Sequence, residues 1–483
     1  MTDCPNFPLL ALEALERDPG GVAISTLDHN LGNAALAGYV RAFARQLALR
    51  QIGPGACVGI GMPNDVTAFV AALATNLLGA HWVRAQPGYP ADALGVTHEL
   101  YVRGFPQPAP GPQLHLVDPG WLTQPTETWQ VPLPGLRHPD SIVFIGTSSG
   151  TTGRPKYVYR TLWQSTSVPR HLPEGRLRAF AELFPFTSSV GYRDIARMLG
   201  DGVPVVVPPS GRDCTGMFGN MARAGVDFVM GSPAQLEKLI FGHERPERRI
   251  RMLAVGGSVM TRESLERWLG YFDEILLIFG NREGAGGGRM HVRSAADLDD
   301  IAYTLREGIE AQILSETGEI LPHSTPGILR LRSPTMATSY IGNPEATAAV
   351  FRDGWFYSGD LGSLTEDGRL RILGRTIDTF NFGGIKVNAA DIDASVLRVP
   401  GVRSAMSFVQ RRADGVVALS VCAVAEPAVD RVALAAAIRG SVQAFHRTLS
   451  VQRVVFADDL PLNDNGKPVR AWGGELAAGL AVY

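Results

Sequence analysis

Cysteine is scarce in this chain, and its placement excludes several classes of protein. The four cysteines, Cys4, Cys57, Cys214 and Cys422, lie far apart in 483 residues and form no CxxC pair. Structural zinc sites and disulfide frameworks need closely spaced or numerous cysteines, so both are disfavoured. The sequence therefore favours a reducing compartment, and we expect a cytoplasmic location.

Long apolar runs and blocks of like charge are also missing. No segment has 18 uninterrupted apolar residues, and residues 1–18 lack a basic start followed by an apolar run. Neither a membrane span nor a signal peptide is predicted. Lysine and arginine are scattered and the formal net charge is −2, which gives no sign of nucleic-acid or membrane binding. We expect small-molecule partners, with no nucleic acid and no membrane.

The chain does contain a regular alternation of apolar helices and strands. Residues 35–50 and 66–79 have the apolar spacing of helices and flank a short apolar strand at 57–61. Further strands are predicted at 142–146, 203–207, 226–230, 252–256 and 274–279, and helices at 192–200, 233–241 and 261–270. Residues 86–140 are predicted as mostly loop, with one strand near 113–117. This alternation is typical of parallel sheets covered by helices.

The pattern changes in the last third of the chain. Residues 308–373 contain short strands and turns, which predict an antiparallel subdomain. Strands at 403–409, 417–424 and 452–456 and a helix at 431–446 then predict a small α+β unit. We therefore predict an α/β fold with a large N-terminal domain, 1–374, and a small C-terminal domain, 375–483.

A segment rich in glycine and hydroxyl side chains, IGTSSGTTGRPK, ends the strand at 142–146 and continues beyond it. Its backbone N–H groups and hydroxyls can surround phosphate oxygens, and Lys156 adds positive charge. It is not a Walker A loop, because no Ser or Thr follows Lys156 and no Gly precedes it. The candidate phosphate-binding residues are Thr147, Ser148, Ser149, Gly150, Thr151, Thr152, Gly153 and Lys156.

This segment closely resembles the phosphate loop of the adenylate-forming superfamily, which comprises acyl-CoA synthetases, peptide-synthetase adenylation domains and luciferase-like enzymes. Other segments similar to the family's signatures follow in the family's order, so the resemblance extends over residues 20–475. The resemblance implies an ATP-dependent ligase that uses Mg²⁺, with a small C-terminal domain that is mobile.

Two segments resemble the family's adenine and metal site. Residues 254–258 are similar to a glycine pair beside adenine and the acyl group, and residues 279–283 are similar to a Tyr-Gly-x-Thr-Glu motif in which the aromatic ring stacks on adenine. The resemblance assigns Mg²⁺ to Glu283. Arg282 replaces threonine, and it either pairs with an anion or is a surface arginine. The candidates are Gly256, Gly257, Ser258, Phe279, Gly280, Asn281, Arg282 and Glu283.

Three further segments resemble the family's ribose, hinge and lysine motifs. The resemblance implies that Asp360 binds both ribose hydroxyls and that Arg375 contacts ribose and phosphate. It places Asp378 at the hinge, with Ile377 at the usual pivot position, and Gly383 and Gly384 in the acceptor tunnel. Lys467 follows Gly466 as the family's catalytic lysine does, where its charge would stabilise the transition state at the α-phosphate.

Residues 184–191 resemble the family's Pro-x-x-His-x-x-Gly stretch, which lines the acyl pocket. The candidate pocket residues are Phe186, Thr187, Ser188, Tyr192, Arg193 and Ser232. The missing Asp weighs against α-amino acids and the polar residues weigh mildly against long fatty acids. A packed helix start would explain the same positions.

The leading hypothesis is therefore an acid-activating ligase that transfers the acyl group to a thiol, either coenzyme A or a carrier protein's phosphopantetheine. Two alternatives stay open. One is an adenylating enzyme with an amine acceptor, or one that activates a non-carboxylate anion such as nitrite. The other is a catalytically degenerate nucleotide-binding relative.

Overall fold

In the computed structural model, the residues that the structure describes form five sheets, of nine, six, five, three and two strands. The residues that it describes are 4–26, 29–105, 108–123, 131–148, 155–168, 172–208, 214–242, 246, 248–257, 260–284, 287–382, 385–411, 417–461, 469–470, 473–478 and 480–483. Among these, no helix combines the length and the apolar character that crossing a membrane requires.

The helices and strands are numbered in chain order. The helices are α1 Phe7–Arg17, α2 Asn33–Leu49, α3 Val66–Leu77, α4 Leu162–Thr166, α5 Ser189–Gly200, α6 Phe218–Arg223, α7 Pro233–Leu239, α8 Arg262–Trp268, α9 Pro344–Val350, α10 Ala389–Leu397, α11 Arg431–Phe445 and α12 Gly473–Ala478. The strands are β1 Val22–Ser25, β2 Asn30–Gly32, β3 Cys57–Gly61, β4 His81–Arg84, β5 His98–Tyr101, β6 Gln113–Leu116, β7 Ile142–Ser148, β8 Lys156–Thr161, β9 Phe180–Glu182, β10 Val205–Val206, β11 Phe228–Gly231, β12 Ile250–Gly256, β13 Phe272–Phe279, β14 Gly288–Val292, β15 Thr304–Leu305, β16 Glu310–Leu314, β17 Gly327–Arg332, β18 Phe351–Arg352, β19 Trp355–Leu364, β20 Leu370–Arg375, β21 Thr379–Phe382, β22 Ile385–Asn388, β23 Val402–Arg411, β24 Val417–Ala425 and β25 Val451–Phe456.

The nine-stranded sheet has the order β15-β14-β13-β12-β11-β9-β10-β1-β2. Its six inner strands are parallel, and β2, β14 and β15 are antiparallel additions at the two edges. Because parallel strands share one direction, the carboxyl ends of β9, β11, β12 and β13 lie at the same edge. That edge carries Gly256 and Phe279.

The six-stranded sheet has the order β6-β5-β3-β4-β7-β8, and only β8 is antiparallel. Residues 68–77 of helix α3 are all buried, and the apolar ones among them belong to the core cluster that includes strands of both large sheets. A helix that is apolar on every side is stable only when it is covered on every side. This explains why the two sheets share one core.

The antiparallel subdomain is a five-stranded sheet in which β19 pairs with β17, β18 and β20. It is joined to the nine-stranded sheet through the bridge between Tyr303 and Leu370. Phe279 packs against the cores of both sheets. The junction between the two sheets therefore lies at the end of β13.

The last part of the chain has its own core. Strands β23, β24 and β25 form one sheet, and α10 and α11 contribute buried residues to the same cluster as its strands. Its described residues contact the preceding part through the side-chain pairs Lys238–Asp459, Glu263–Arg398 and Phe241–Arg403, among others.

The predicted α/β class, with a large parallel-type region, an antiparallel subdomain and a small α+β unit, is confirmed. The prediction that 86–140 has a single strand is wrong, because β5 precedes β6 within it. β5 is only four residues long and contains His98 and Glu99, so its apolar content is too low to be recognised by pattern.

Candidate active site

The carboxyl ends of β12 and β13 form one wall of the candidate site. Gly256 pairs with Ile278, and a Cβ added to Gly256 would lie 2.8 Å from the Ile278 carbonyl oxygen. Gly257 has φ of +100°, which favours glycine. The ring of Phe279 packs against Tyr303 with 5.8 Å between centroids. Close backbone approach is therefore possible only because glycines occupy 256 and 257; Ser258 lies outside the described residues.

The turn after β13 holds a buried carboxylate. Glu283 is 7% exposed, its Oε1 accepts a hydrogen bond of 2.7 Å from the Tyr340 hydroxyl, and its backbone oxygen accepts one of 2.6 Å from Ala337. Gly280 has open space where a Cβ would project. The amide Nδ2 and Oδ1 of Asn281 are buried and have no hydrogen-bond partner among the described residues. The turn therefore combines a fixed carboxylate with an unused donor and acceptor.

Two arginines that the sequence interpretation missed flank this turn. Arg160, from β8, is 9% exposed and donates to the Thr335 carbonyl at 3.2 Å. Arg306 donates to the Thr335 hydroxyl at 3.0 Å and to the Ser167 carbonyl at 2.9 Å. Burial, and then the nearby Arg193 guanidinium, lower the pKa of Arg160 to about 10, whereas Glu283 raises it. A charged residue inside the strand KYVYRT was the available signal for Arg160.

The phosphate-loop hairpin reaches the same turn. β7 and β8 pair as far as Ser148 and Lys156, which brings the two ends of the intervening loop together. The Lys156 ammonium lies 5.1 Å from the centre of the Tyr340 ring, and the Tyr340 hydroxyl binds Glu283. Thr147 pairs with Tyr157 within the hairpin. The predicted loop residues Ser149, Gly150, Thr151, Thr152 and Gly153 lie outside the described residues.

The candidate ribose site is formed by two neighbouring strands. Asp360 on β19 pairs in register with Arg375 on β20, and the Arg375 Nε lies 3.3 Å from the Asp360 Oδ1. The Asp360 side chain is 13% accessible and that of Arg375 is 41% accessible. Gly359, directly before Asp360 in β19, has φ of +77°, and its carbonyl accepts a hydrogen bond from the Thr376 hydroxyl.

The predicted acyl-pocket residues separate into different environments. Ser188 and Ser232 cap α5 and α7 by accepting hydrogen bonds from Gly191 and Gln235 N–H groups. Tyr192 is fully buried in the core, where its hydroxyl donates to the Asn76 Oδ1 at 2.5 Å. The structure therefore gives these three side chains packing and capping contacts instead of an open pocket face.

Of the other members of that set, Phe186 is buried in the hydrophobic core, whereas Thr187 and Arg193 have polar partners. Thr187 accepts a hydrogen bond of 3.0 Å from Arg84, and Phe186 packs against Phe69. Arg193 forms a two-point ion pair with Asp194 and is 18% accessible.

Glu182, at the carboxyl end of β9, lies close to this ion pair and is 0% exposed, and its Oε2 has no hydrogen-bond partner among the residues that the structure describes. Burial, and then Asp194, raise the pKa of Glu182 well above its usual range. The carboxylate at the end of a parallel strand was a signal that the sequence interpretation did not use.

The hinge candidate Asp378 lies in a short turn, Thr376–Asp378, directly after β20. The Arg470 Nε is 3.5 Å from the Asp378 Oδ1, and Arg470 also pairs with Asp393 at 2.7 Å. Gly383, Gly384 and Lys467 lie outside the described residues. Arg282 is half-buried and has a partner in the structure.

Comparison with known proteins agrees with this arrangement. Residues 107–341 match the family described as AMP-binding enzyme. The chain is 27% identical over 497 residues to an isonitrile lipopeptide synthase of Streptomyces coeruleorubidus, covering 96% of this chain and 33% of that protein. It is 27% identical over 351 residues to a 3-hydroxybenzoate/4-hydroxybenzoate–CoA ligase of Thauera aromatica, covering 68% of this chain and 65% of that protein. The chain thus spans less than two thirds of either relative.

Solved structures share the fold over the whole chain. The o-succinylbenzoate CoA synthetase of Bacillus subtilis, in complex with its acyl-adenylate intermediate, has a TM-score of 0.77 at 20% identity and covers 98% of both chains. The amide bond synthetase of Marinactinospora thermotolerans has a TM-score of 0.74 at 20% identity and covers 98% of this chain and 100% of its own. The resemblance seen in the signature segments is confirmed, because residues 107–341 match the AMP-binding enzyme family and the similar proteins include CoA ligases.

Proposed function

We propose that this enzyme uses ATP to convert an acid into its acyl-adenylate, with release of pyrophosphate, and then transfers the acyl group to a nucleophile. The observation that carries the proposal is the contact of Lys156 and Glu283 with one residue, Tyr340. A phosphate-loop cation and a metal-binding carboxylate are thereby held at one turn, which is the arrangement that a nucleoside triphosphate with a divalent cation requires.

The surrounding residues fit the other parts of ATP. Phe279 offers a ring at the junction of two sheets, and the glycine cradle at Gly256 lets a flat base approach the backbone. The unpartnered amide of Asn281 supplies one donor and one acceptor beside it. Asp360 would accept hydrogen bonds from the vicinal ribose hydroxyls, and Arg375, already paired with it, would orient that carboxylate.

Mg²⁺ is expected to enter with ATP, and Glu283 is the carboxylate that would hold it. No group of three or more metal-ligating side chains occurs in the part of the chain that the structure describes. This agrees with Mg²⁺ chemistry, because the ion typically takes one or two protein carboxylates and completes its coordination with phosphate oxygens and water. When bound, the ion would offset the negative charge of the phosphates.

The reaction follows from these positions. A carboxylate oxygen of the acid attacks the α-phosphorus, the bond to the bridging oxygen breaks, and that oxygen leaves with pyrophosphate. Negative charge accumulates around the phosphorus, so fixed cations lower the barrier. Lys156 and Arg282 are the candidates on the body of the enzyme, and Lys467 is the one that the C-terminal domain would supply. In this proposal residues 375–483 rotate about the segment at Asp378 between the two half-reactions.

A thiol, from coenzyme A or a carrier protein, is our first choice of acceptor. The Thauera relative is named as a CoA ligase, which supports this choice. A structural neighbour is named as an amide bond synthetase, which supports an amine acceptor as an alternative. The polar residues Arg193 and Arg282 support activation of a non-carboxylate anion as a second alternative. A cytoplasmic location, where ATP and coenzyme A are supplied, completes the proposal.

ATP–pyrophosphate exchange across a panel of aryl, alkyl and dicarboxylic acids, with nitrite included, tests the first half-reaction. Exchange should depend on Mg²⁺ and fall by on the order of 10²-fold in Glu283→Gln. The matched control is Glu266→Gln, an exposed carboxylate on α8. Active acids are then incubated with coenzyme A, a phosphopantetheinylated carrier or amines. Absence of exchange with every acid, from enzyme that still binds ATP, would favour the degenerate nucleotide-binding alternative.

A further inference from the structure

A cavity lies at the six-stranded sheet, apart from the candidate nucleotide site. It has a volume of about 310 Å³ and is lined by Gly61 at the end of β3, Ala85 after β4, and Glu99 on β5. The phosphate-loop hairpin follows β7, which is the parallel neighbour of β4. Crevices at the carboxyl ends of parallel strands are the usual ligand sites of such sheets, and this volume is near the lower end of ligand-binding pockets.

Glu99 is a buried carboxylate in the wall of this cavity. It is 2% exposed. Its Oε2 accepts two hydrogen bonds, one from the Tyr89 hydroxyl at 2.6 Å and one from the Ala109 N–H at 3.2 Å. Within the described residues, Oε1 accepts no hydrogen bond. Burial, and then the hydrogen bond to Glu99, raise the pKa of Tyr89, which keeps the phenol protonated as a donor. Half of the acceptor capacity of the carboxylate is therefore unused.

Two glycines leave room around this carboxylate. A Cβ added to Gly61 would lie 3.2 Å from the Glu99 Oε1, and one added to Gly59 would lie 2.8 Å from the Tyr89 hydroxyl oxygen. Neither glycine has a positive φ, so the constraint comes from the space and not from the backbone conformation. A larger residue at 61 would crowd the one oxygen that has no partner.

The rest of the lining carries no opposite charge. The other described residues that line the cavity are Gly, Ala, Pro, Gln, Tyr and Phe, with Phe105 providing an aromatic wall. A buried carboxylate is costly unless a donor or a cation compensates it. The chemical complement of this cavity is therefore a small apolar molecule that carries a positively charged hydrogen-bond donor.

We propose that the cavity at Glu99 binds a compact organic ammonium ion, with the N–H donors directed to Oε1 and the apolar body against Phe105. Such a ligand has two possible sources. It is either an amine that takes part in the acyl-transfer step, or an amine that binds beside the reaction without being consumed.

Isothermal titration calorimetry without ATP tests the proposal, with benzylamine as the probe and benzyl alcohol as its neutral counterpart. Because a hydrogen bond to a charged group contributes about 1.5–3 kcal/mol, benzylamine should bind roughly tenfold to a hundredfold more tightly. Glu99→Gln should abolish this preference, and Asp118→Asn, at an exposed carboxylate after β6, should retain it. Equal binding of the two probes to the wild type, or no binding of either, overturns the proposal.

Two further variants keep the test informative if Glu99→Gln fails to fold. Gly61→Ala crowds Oε1 and should weaken benzylamine binding while leaving the carboxylate in place. Tyr89→Phe removes a donor from Oε2 and should leave the preference for benzylamine intact or increase it. A preference that is unchanged in Gly61→Ala and lost in Tyr89→Phe would contradict the assignment of Oε1.

A separate arm distinguishes the two sources. The enzyme is incubated with ATP, an active acid and benzylamine, and amide formation is followed by mass spectrometry. If amide forms and Glu99→Gln needs a higher benzylamine concentration than the wild type to form it, the amine acceptor binds in the cavity. If benzylamine binds but no amide forms, the cavity holds a ligand that is not consumed. Both results support the site. Since binding is measured without ATP, failure of adenylation would not be mistaken for failure of this inference.

Discussion

The N-terminal domain, residues 1–374 and here called the body, and the C-terminal domain, residues 375–483, are built differently. This difference bears on the proposed rotation of the C-terminal domain. In the body, Phe279 ends a strand, Glu283 lies in the following turn and Asp360 lies within β19, and all three are largely covered by neighbouring elements. The C-terminal domain has a core of its own, formed by α10, α11 and the β23–β25 sheet. The candidate nucleotide site and the core of the C-terminal domain are therefore formed by different structural elements.

The contacts between these two regions are weak by comparison with either core. The Lys238 ammonium lies 2.7 Å from the Asp459 carboxylate, and their side chains are 26% and 62% accessible. Arg403 lies 3.6 Å from the centre of the Phe241 ring, and Arg398 is 3.4 Å from Glu263. Exposed pairs of this kind contribute little, about 0–1 kcal/mol each. Docking of this kind can be released, which the proposed rotation requires.

Inside the C-terminal domain the polar contacts are stronger. Arg470 is three residues after Lys467, pairs with Asp393 at 2.7 Å and donates to the Ser407 carbonyl at 2.7 Å. Its Nε also faces Asp378 in the hinge segment. These contacts hold Arg470 in the C-terminal domain, and we predict that Lys467 moves with that domain in the proposed rotation.

The largest expected effect comes from removing the movable charge. Lys467→Ala should lower the rate of acyl-AMP formation by on the order of 10²–10³, because one preorganised charge at the phosphorus is lost. ATP binding should change little, since the proposed base, ribose and metal contacts belong to the body. Single-turnover formation of acyl-AMP measures the rate, and calorimetry measures ATP affinity. Acyl-AMP formation near the wild-type rate would remove Lys467 from the chemistry.

A contact fixed in the body should show the opposite pattern. Asp360→Ala should raise the KM for ATP roughly tenfold to a hundredfold, because a hydrogen bond to a charged acceptor is worth about 1.5–3 kcal/mol. The KM for the acid should change much less. Asp367→Asn, at an exposed turn between β19 and β20, is the matched control. An unchanged KM for ATP in Asp360→Ala would contradict the ribose assignment.

Much of this contrast could be predicted from the sequence. The strands of the parallel sheets are continuous apolar runs, such as 252–256 and 274–279, so their type and order followed from pattern alone. The change to short strands and turns after 308 indicated the antiparallel subdomain in the same way. Each of these features depends on residues that are neighbours in sequence.

The parts that escaped prediction depend on residues distant in sequence. Arg160 and Thr335 are 175 positions apart, and only the fold shows that they meet beside Glu283. Likewise, Tyr192 and Ser232 are polar residues near a family motif, yet packing and capping account for them. Sequence gives the chemical type of a side chain, but its partner is fixed by tertiary packing.

Acidity should weaken the body through its six-stranded sheet. Burial lowers the pKa of His81 to about 4 and also lowers the pKa of His98 and His115, all on strands of that sheet. An unfolded histidine has a pKa of about 6.5, so the native state binds fewer protons between the two values. The stability from neutral His81 is present above about pH 6.5 and is lost as the pH falls toward 4.

Denaturant unfolding at pH 7 and pH 4.5 measures this effect. Since the His81 side chain is partly accessible, we expect its share to be about 1–2 kcal/mol. His81→Phe should reduce the loss of unfolding free energy on acidification, and exposed His323→Phe should not. Labelling of buried Cys57 in the body and buried Cys422 in the C-terminal domain locates the transition. Equal acid sensitivity in wild type and His81→Phe would assign the effect to other groups.

The smallest expected effect concerns the docking of the two regions. In a double-mutant cycle of Lys238→Ala and Asp459→Ala, the coupling energy should be about 0.2–1 kcal/mol and should fall as salt is added. If the domain rotates, the Lys238–Asp459 pair stabilises only one of its two orientations, and each orientation serves one half-reaction. Losing the pair should therefore change the ratio of the rate of acyl-AMP formation to the rate of acyl transfer, by less than about fivefold. Both steps are timed separately in single-turnover experiments.

Arg262→Ala, which breaks exposed pairs within the body, is the control and should leave the ratio unchanged. A ratio that is constant in every variant, or that shifts equally in the control, would mean that the Lys238–Asp459 contact does not select between the two orientations.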